Sequence, residues 1–307
     1  MTTKNNTAFS LILTAFLLSA SPALVEAVCT VSIGSIFYPN VQSAINGAGV
    51  SRTVNVSGTC NENVNIPENK LNLTLNGGGT ATLHGPSAVN PVINVRGSGS
   101  VIKGFSLISG GQEGILVTRG GTAVIQNNTV DGIGTHGIVV NQSGSARIIN
   151  NTIQNNPRTG IVVNEQGQAR IGVLTKNDVS ASPNLIQNNN IGIDVEGSSD
   201  VTIVGNTIQN NASDGILLQQ VSHGDISDNL INGNGGNGIN VGRNAGVDLG
   251  NDTGTTIFDL PNSTTVNNSL FGINCFINSY VDRRQGTITG NSGAKNISAN
   301  CVDSTIP

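Results

Sequence analysis

The stretch "GTHGIVVNQSGSARIINNTIQNNPRTGIVVN", residues 134–164, contains the same phrase twice. Gly-Ile-Val-Val-Asn at 137–141 returns at 160–164, and Asn-Asn-Thr-Ile lies between the two copies. The Gly-Ile pair recurs in steps of 23 residues, interrupted by one step of 32, at Gly114, Gly137, Gly160, Gly192, Gly215 and Gly238. Such self-similarity indicates a solenoid, in which one small unit stacks on the next.

Two further sets of residues follow the same rhythm. An asparagine stands nine residues before four of the Gly-Ile pairs, at Asn128, Asn151, Asn206 and Asn229, and Asn184 takes this place in the interrupted repeat. Isoleucine recurs in step at Ile102, Ile125, Ile148, Ile203 and Ile226. Short β-rich runs broken by Gly and Asn, one coil per repeat, predict an all-β parallel β-helix. Its interior would stack Ile on Ile, and one bend would stack Asn on Asn, each amide bonding to the next.

The ends of a solenoid expose open strand edges, which must be covered. At the N-terminal end, Asn40 is expected to cap a short helix whose Val41, Ala44 and Ile45 share one face. At the other end the rhythm is lost after Val241, and we predict a loop-rich cap that folds over the last coil. The chain thus divides into an export signal, an N-terminal cap with the first coil, the β-helix and a C-terminal cap, at 1–27, 28–60, 61–242 and 243–307.

The first 27 residues have the features of an export signal, with Lys4, an apolar run over 8–20 and small residues near Ala27. We expect cleavage after Ala27 and a secreted, periplasmic or cell-surface protein. In an oxidising compartment the cysteines would form disulfides. Proximity favours the pairs Cys29–Cys60 and Cys275–Cys301, which would hold the two caps, while the other two pairings stay open.

Composition narrows the partners. The formal net charge is −4 and only 10% of residues are charged, which argues against nucleic acid. No run of about 18 apolar residues is present, so we predict no transmembrane span. An extended polysaccharide or cell-surface material is the expected partner, and the oligomeric state stays open.

The segment "VQSAINGAGVSRTVNVSGTCNENVNI", residues 41–66, resembles the opening of secreted proteins of the pectin-lyase-fold superfamily. The coils over 40–241 resemble the right-handed β-helix repeats of that superfamily, and the resemblance implies the right hand of the solenoid. It does not fix an activity, because the superfamily includes lyases, hydrolases, epimerases and non-catalytic surface proteins.

Polygalacturonases of this superfamily carry acidic motifs and a Gly-His-Gly motif before successive strands. Here Ile191 replaces the aspartate of the first motif, Asp214 is the single acid of the second, and Asn237 replaces the histidine. The sequence therefore excludes a standard polygalacturonase.

Stacking turns the spacing along the chain into neighbourhood, so candidate sites can be found by coil. Glu113 and His136 would lie one coil apart before their Gly-Ile pairs, with Arg158 one coil further. Asp194 and Glu196 would stand side by side on an outward strand face, about 6–7 Å apart. We expect the insertion within 165–183 to lean over this pair.

A carboxylate pair can serve as acid and base on a glycosidic bond, or it can bind Ca²⁺, which prefers oxygen ligands. The catalytic candidates are Asp194, Glu196, Asp214, His136 and Arg158. Candidates for substrate binding are Glu113, Arg170, Lys176, Gln219 and Asn240. Asp194 and Glu196 are also the candidate calcium ligands. The sequence His223-Gly224-Asp225 is typical of a tight bend rather than of a metal site.

Two functions fit this pattern. We predict a non-catalytic polysaccharide-binding or extracellular structural protein, because the standard catalytic motifs are missing. The alternative is an enzyme that acts on acidic polysaccharide, as a lyase, an epimerase or a hydrolase, with a carboxylate site on the outward face of the β-helix.

Overall fold

A computed structural model describes residues 28–108, 110–250, 256–264, 268–284 and 286–306. The predicted export signal at 1–27 lies outside the described residues. The chain forms a parallel β-helix in which strands of successive coils pair in register. The predicted fold is thereby confirmed.

Three faces wrap the interior. In the described ranges the Gly-Ile face is a sheet of ten strands: β5 (Val64–Ile66), β7 (Ile93–Val95), β9 (Glu113–Val117), β12 (His136–Val140), β15 (Thr159–Val163), β18 (Ile191–Val195), β21 (Ile216–Leu218), β24 (Ile239–Val241), β27 (Phe271–Cys275) and β30 (Gly293–Ile297). The groove face contains β3 (Thr53–Ser57), β10 (Thr122–Gln126), β13 (Ser145–Ile149), β16 (Gln168–Ile171), β19 (Asp200–Val204), β22 (His223–Ser227), β25 (Gly246–Leu249), β28 (Tyr280–Arg284) and β31 (Val302–Ile306).

The Asn-Thr face contains β4 (Thr59–Asn61), β11 (Thr129–Asp131), β14 (Thr152–Gln154), β17 (Leu185–Gln187), β20 (Thr207–Gln209), β23 (Leu230–Asn232), β26 (Ser263–Thr264) and β29 (Thr287–Ile288). Two long strands bend around the corner and belong to both this face and the groove face, β6 (Thr74–His84) and β8 (Ser100–Ile108).

Alternation along each strand sends every second side chain into the core. The isoleucines predicted to point inward are completely buried, Ile115, Ile138, Ile161, Ile193, Ile216 and Ile239 on the Gly-Ile face and Ile102, Ile125, Ile148, Ile203 and Ile226 on the groove face. Each such side chain stabilises the fold by roughly 1.5–3 kcal/mol through burial. The opposite side of each strand is left for polar side chains, and this is where a site can form.

The predicted asparagine column is confirmed and lies at the corner between the groove face and the Asn-Thr face. The Asn206 Nδ2 donates to the Ile171 carbonyl at 2.9 Å and to Asn229 Oδ1 at 3.1 Å, while its own Oδ1 accepts from Asn184. A second column that the sequence analysis missed occupies the next corner, at Asn156, Asn189, Asn211, Asn234 and Asn268. The two columns satisfy buried amides at two of the three corners of the coils, which helps to fix the coil spacing.

The N-terminal end is closed as expected. The side chain of Asn40 accepts a hydrogen bond from Ser43 N at 2.8 Å and caps α1 (Val41–Gly47), whose Val41, Ala44 and Ile45 are buried. Two strands precede it and pair antiparallel, β1 (Thr30–Ile33) and β2 (Ile36–Tyr38). The predicted Cys29–Cys60 disulfide is present.

The C-terminal end differs from the prediction. The described residues of segment 243–307 do not fold over the last coil, because their strands β25 to β31 continue the same parallel pairing. The Cys275–Cys301 disulfide is present within these coils. In the last coil Lys295 takes the register of the inward Ile273, and its Nζ lies 2.9 Å from Asp303 Oδ2. An inward ion pair, rather than a loop, thus ends the apolar core.

In the part of the chain that the structure describes, no helix is long and apolar enough to cross a membrane.

Candidate functional site

Two columns of outward side chains run along the groove face. The first contains residues in strict one-coil register, Arg147, Arg170, Thr202, Asp225, Asp248 and Asp282. The second contains Gln168, Asp200, His223, Gly246 and Tyr280. The first column therefore changes from cationic to anionic along the helix axis, and the second carries a histidine and a tyrosine beside the anionic part.

These columns line two cavities. One has a volume of about 450 Å³ and is bordered by Arg147, Arg170, Asp200 and His223. The other has a volume of about 360 Å³ and is bordered by Lys176, Asp248, Phe258 and Arg283, among others. Both cavities share Arg170, Thr202 and Asp225, so they form one continuous depression, called the groove below.

The most reactive side chains lie around His223, which borders the first cavity, and around Asp248 and Arg283, which border the second. The ring centres of His223 and Tyr280 lie 6.2 Å apart. Asp248 Oδ2 pairs with Arg283 at 2.9 Å, and Asp248 Oδ1 lies 3.9 Å from His223 Nε2. An imidazole and a phenol can exchange protons with a substrate, and the guanidinium offers charge to a substrate carboxylate.

Burial and nearby carboxylates shift the pKa of two side chains in this cluster, Tyr280 and Asp225. Desolvation raises the pKa of Tyr280, and Asp248, Asp225 and Asp282 raise it further, while Arg283 acts in the opposite direction. Desolvation also raises the pKa of Asp225 above its usual range. The phenol of Tyr280 therefore stays protonated at neutral pH and can donate a proton.

An insertion between β16 and β17 forms a wall of the groove. Asp178 organises this loop by accepting hydrogen bonds from Leu174 N at 2.6 Å and Thr175 Oγ1 at 2.6 Å. Arg147 Nε donates to the Leu174 carbonyl at 2.9 Å and ties the loop to β13. Lys176, carried by the loop, lines the second cavity.

This position corrects one expectation. We expected the insertion to lean over Asp194 and Glu196, but it follows a strand of the groove face, and Lys176 shares its cavity with Asp225 and Asp248. Arg170 and Lys176, both predicted to bind substrate, thus belong to the groove.

The Gly-Ile face carries the other predicted residues. Asp194 lies between Val162 and Leu217 in the outward column. Desolvation by these surroundings, helped by the charge of Glu196, raises its pKa to about 7. A carboxyl that is half protonated near neutrality can act as an acid or a base, which keeps Asp194 a candidate.

Two other carboxylates on this face, Glu196 and Asp214, accept hydrogen bonds from amides. Glu196 Oε2 accepts from Gln219 Nε2 at 3.2 Å. The buried Asp214 accepts from Asn237 Nδ2 at 2.9 Å and from Asn240 Nδ2 at 2.7 Å. Such bonding is typical of a structural carboxylate. The catalytic roles of these residues stay predictions.

The first predicted cluster is arranged as stacking implied. His136 is paired in register with Glu113, and its Nδ1 accepts a hydrogen bond from Thr159 N at 3.3 Å. Desolvation lowers the pKa of His136, and the charge of Arg158 lowers it further. Desolvation raises the pKa of Glu113. Burial thus shifts the pKa of each side chain in the direction of its uncharged form.

Metal binding can be tested on the donor atoms. Among the described residues, two groups bring three ligand atoms within 4.8 Å of one another, Cys29–Cys60–Glu62 and His223–Asp225–Asp248. The first group is taken up by the disulfide, and Arg283 competes for Asp248 in the second. Neither group includes Asp194 or Glu196, so calcium there would depend on further oxygen ligands. The calcium site stays a prediction.

The spacing of charged residues in the sequence indicates the columns of the groove, including residues that were not predicted above. Arg147 and Arg170 are one repeat of 23 residues apart, and so are Asp225 and Asp248. The interpretation of His223-Gly224-Asp225 as a tight bend was wrong, because these residues lie in β22. Glycine is typical of turns, but Gly224 occupies an inward strand position in register with Val201 and Val247.

The fold and the groove together define a parallel β-helix with a polar groove along one face. The sequence profile of the right-handed β-helix region matches residues 34–179 and 91–254. The chain therefore belongs to this family. No match was found among curated protein sequences.

Solved structures with the same fold include epimerases of alginate. The A-module of the Azotobacter vinelandii mannuronan C-5 epimerase AlgE6 superposes with a TM-score of 0.55 and 14% identity, covering 87% of this chain and 94% of that chain. The A-module of the mannuronan C-5 epimerase AlgE4 from the same organism superposes with a TM-score of 0.55 and 14% identity, covering 87% of this chain and 92% of that chain. A double mutant of the periplasmic alginate epimerase AlgG superposes with a TM-score of 0.52 and 13% identity, covering 83% of this chain and 86% of that chain. Identities this low establish a shared fold alone.

Proposed function

We propose that this protein is an enzyme that acts on an acidic polysaccharide, with its site in the groove. One observation carries the proposal: His223 borders the groove together with the cations Arg170, Lys176 and Arg283, and the ring centre of Tyr280 lies 6.2 Å from that of His223. The non-catalytic class that the sequence predicts does not account for this combination of an imidazole, a phenol and cations. The alginate epimerases of the same fold, which by their names act on a uronate polymer, support the enzymatic alternative.

The chemistry of a uronate sugar matches these side chains. The hydrogen on the carbon next to the sugar carboxylate is acidic once the carboxylate is paired with a cation. His223 in its neutral form can accept that proton, while the electron pair of the C–H bond moves into the carboxylate, held by an arginine or lysine. The resulting anion has two outcomes.

In the first outcome, the Tyr280 phenol gives a proton to the opposite side of the same carbon, which inverts the centre and leaves the chain intact. In the second, the electron pair expels the neighbouring glycosidic oxygen, and the phenol protonates that leaving oxygen. The first reaction is an epimerisation, and the second is a lyase cleavage that leaves an unsaturated sugar. Both require an acid and a base around one sugar ring.

The Gly-Ile face offers the competing site. Asp194, with a pKa of about 7, and Glu196 would there act as acid and base in the hydrolysis of a glycosidic bond. We favour the groove because it contains cavities lined by cations, whereas Glu196 and Asp214 accept hydrogen bonds from protein amides.

The test uses alginate, pectate and neutral glycans, with and without Ca²⁺. Deuterium incorporation from D₂O, read by NMR, reports epimerisation; ultraviolet absorbance reports unsaturated ends; a reducing-end assay reports hydrolysis. We expect activity on a uronate polymer that falls by about 10²–10⁴ in His223→Gln, the usual contribution of an acid or base. The matched control is His136→Gln on the Gly-Ile face, which should retain activity.

Two results would contradict the proposal. Activity that survives in His223→Gln but is lost in Asp194→Asn would move the site to the Gly-Ile face. A wild-type protein that binds these polymers without changing them would return the protein to the non-catalytic class.

A further inference from the structure

Gly246 stands between His223 and Tyr280 in the second outward column of the groove face. The strands of His223 and Tyr280 are two coils apart, which separates their backbones by about 10 Å. The two ring centres are nevertheless only 6.2 Å apart. The Tyr280 ring therefore leans across the intervening coil, over Gly246, towards the imidazole.

The space for this ring exists because Gly246 has no side chain. A Cβ placed on Gly246 would overlap Cε1 and Cζ of Tyr280 and would lie 2.6 Å from its hydroxyl oxygen. On the opposite side of Tyr280 the next coil presents Val302. The phenol can reach the imidazole only while the position between them is empty.

The backbone does not require this glycine. Gly246 does not have a positive φ, so an L-residue can adopt its conformation. It also lies within β25, a strand position where glycine weakens the sheet relative to other residues. The tyrosine ring is thus the feature of the structure that accounts for glycine here.

We propose that Gly246 is a positioning residue, whose missing side chain forms the slot that holds the Tyr280 phenol against His223 so that both act on one sugar ring. The catalytic part of this inference rests on the proposed function. The slot itself does not, and it can be tested without a substrate.

The first experiment compares Gly246→Ala with wild type in the full chain. Displacement of the phenol by an added methyl group should lower kcat by about 10²-fold, because misplacement by about 1 Å has effects of this size. KM should change less, since the groove cations are untouched. Gly242→Ala is the matched control: its Cβ would overlap the Phe276 ring in the turn after β24, outside the two cavities.

The second experiment follows Tyr280 itself. The chain has two tyrosines and no tryptophan, so a Tyr38→Phe background leaves Tyr280 as the single tyrosine. Burial and nearby carboxylates raise the pKa of Tyr280 above its ordinary value of 10.0. When the ring moves out of the slot in Gly246→Ala, the midpoint of its phenolate absorbance titration should fall towards that value, and Gly242→Ala should not move it.

A double-mutant cycle guards against a variant that unfolds. If Gly246→Ala is unstable because of the ring, Tyr280→Ala in the same chain should restore its melting temperature. Failure of that rescue would overturn the slot, as would an unchanged tyrosine titration in a folded Gly246→Ala protein. A shifted titration with unchanged kcat would overturn the positioning role. A wild type that is inactive on every polymer would reject the proposed function and leave the slot to be decided by the titration.

Discussion

The groove face and the Gly-Ile face are built from the same coils, and both carry ionisable side chains at one-coil spacing. On the Gly-Ile face Glu196 and Asp214 meet amides, as in the bond from Asn240 to Asp214 at 2.7 Å. On the groove face they meet cations and an imidazole, as in the Arg283–Asp248 pair at 2.9 Å. Stacking therefore makes neighbours on every face, but the residue type one coil away decides whether a charge is used by the fold or offered to a ligand.

Asp194 gives the largest expected difference in stability between the two faces. Burial between Val162 and Leu217 raises its pKa from 3.8 to about 7. Between pH 4 and 7 the unfolded chain loses this proton while the folded protein keeps it, so stability falls as the pH rises through this range. Above about pH 7 the loss is complete, and at about 1.4 kcal/mol per pH unit it has an upper limit of about 4 kcal/mol.

Asp194→Asn should therefore raise the free energy of unfolding by about 2–4 kcal/mol at pH 8 and leave it nearly unchanged at pH 4. Urea unfolding at the two pH values measures the difference. Asp248→Asn, on the groove face, is the control: it removes a partly exposed ion pair worth at most about 1 kcal/mol, so stability should fall slightly. If both variants shift stability in the same direction, the distinction between the faces is wrong.

Arg170 tests whether the groove cations serve a ligand. A hydrogen bond between charged groups contributes about 1.5–3 kcal/mol, so Arg170→Gln should raise the KM for a uronate polymer about 10–100-fold. The matched variant is Arg158→Gln, which removes an exposed arginine near the Gly-Ile face and should change KM less than threefold. Rate measurements over a range of polymer and salt concentrations would check this. Equal effects of the two variants would mean that net charge, rather than the groove, attracts the polymer.

The central coils could be read from the sequence because one residue type stands at each structural position. The Gly-Ile pairs, the inward isoleucines and the Asn206 column all follow the repeat, and each repeated residue has a physical task at its place. The C-terminal coils escaped the same reading for two reasons. The coil after Gly238 is lengthened, so that Gly272-Ile273 falls out of step, and Lys295 stands where the core would otherwise have an isoleucine.

The groove was harder to predict than the fold, although its spacing was visible. Arg147 and Arg170 repeat at the coil period, but they stand in an outward column that the positions next to Gly-Ile do not indicate. The closeness of His223 and Tyr280 has no signal in spacing, because it depends on a ring crossing two coils over Gly246. Contacts of that kind arise from side-chain shape, which a repeat pattern does not record.

The smallest expected effect concerns the loop that walls the groove. Arg147 Nε donates to the Leu174 carbonyl at 2.9 Å, while the Leu174 and Thr175 amides donate to Asp178 Oδ2 at 2.6 and 3.2 Å. Arg147→Gln removes the hydrogen bond that connects the loop to β13 but leaves the turn around Asp178. The free energy of local opening of the loop should therefore fall by about 1 kcal/mol, without a change in global stability. Hydrogen exchange at the Leu174 and Thr175 amides should accelerate about fivefold. Arg158→Gln should leave the exchange rates of these amides unchanged, because the loop depends on contacts with the groove face. Equal acceleration in both variants would contradict this.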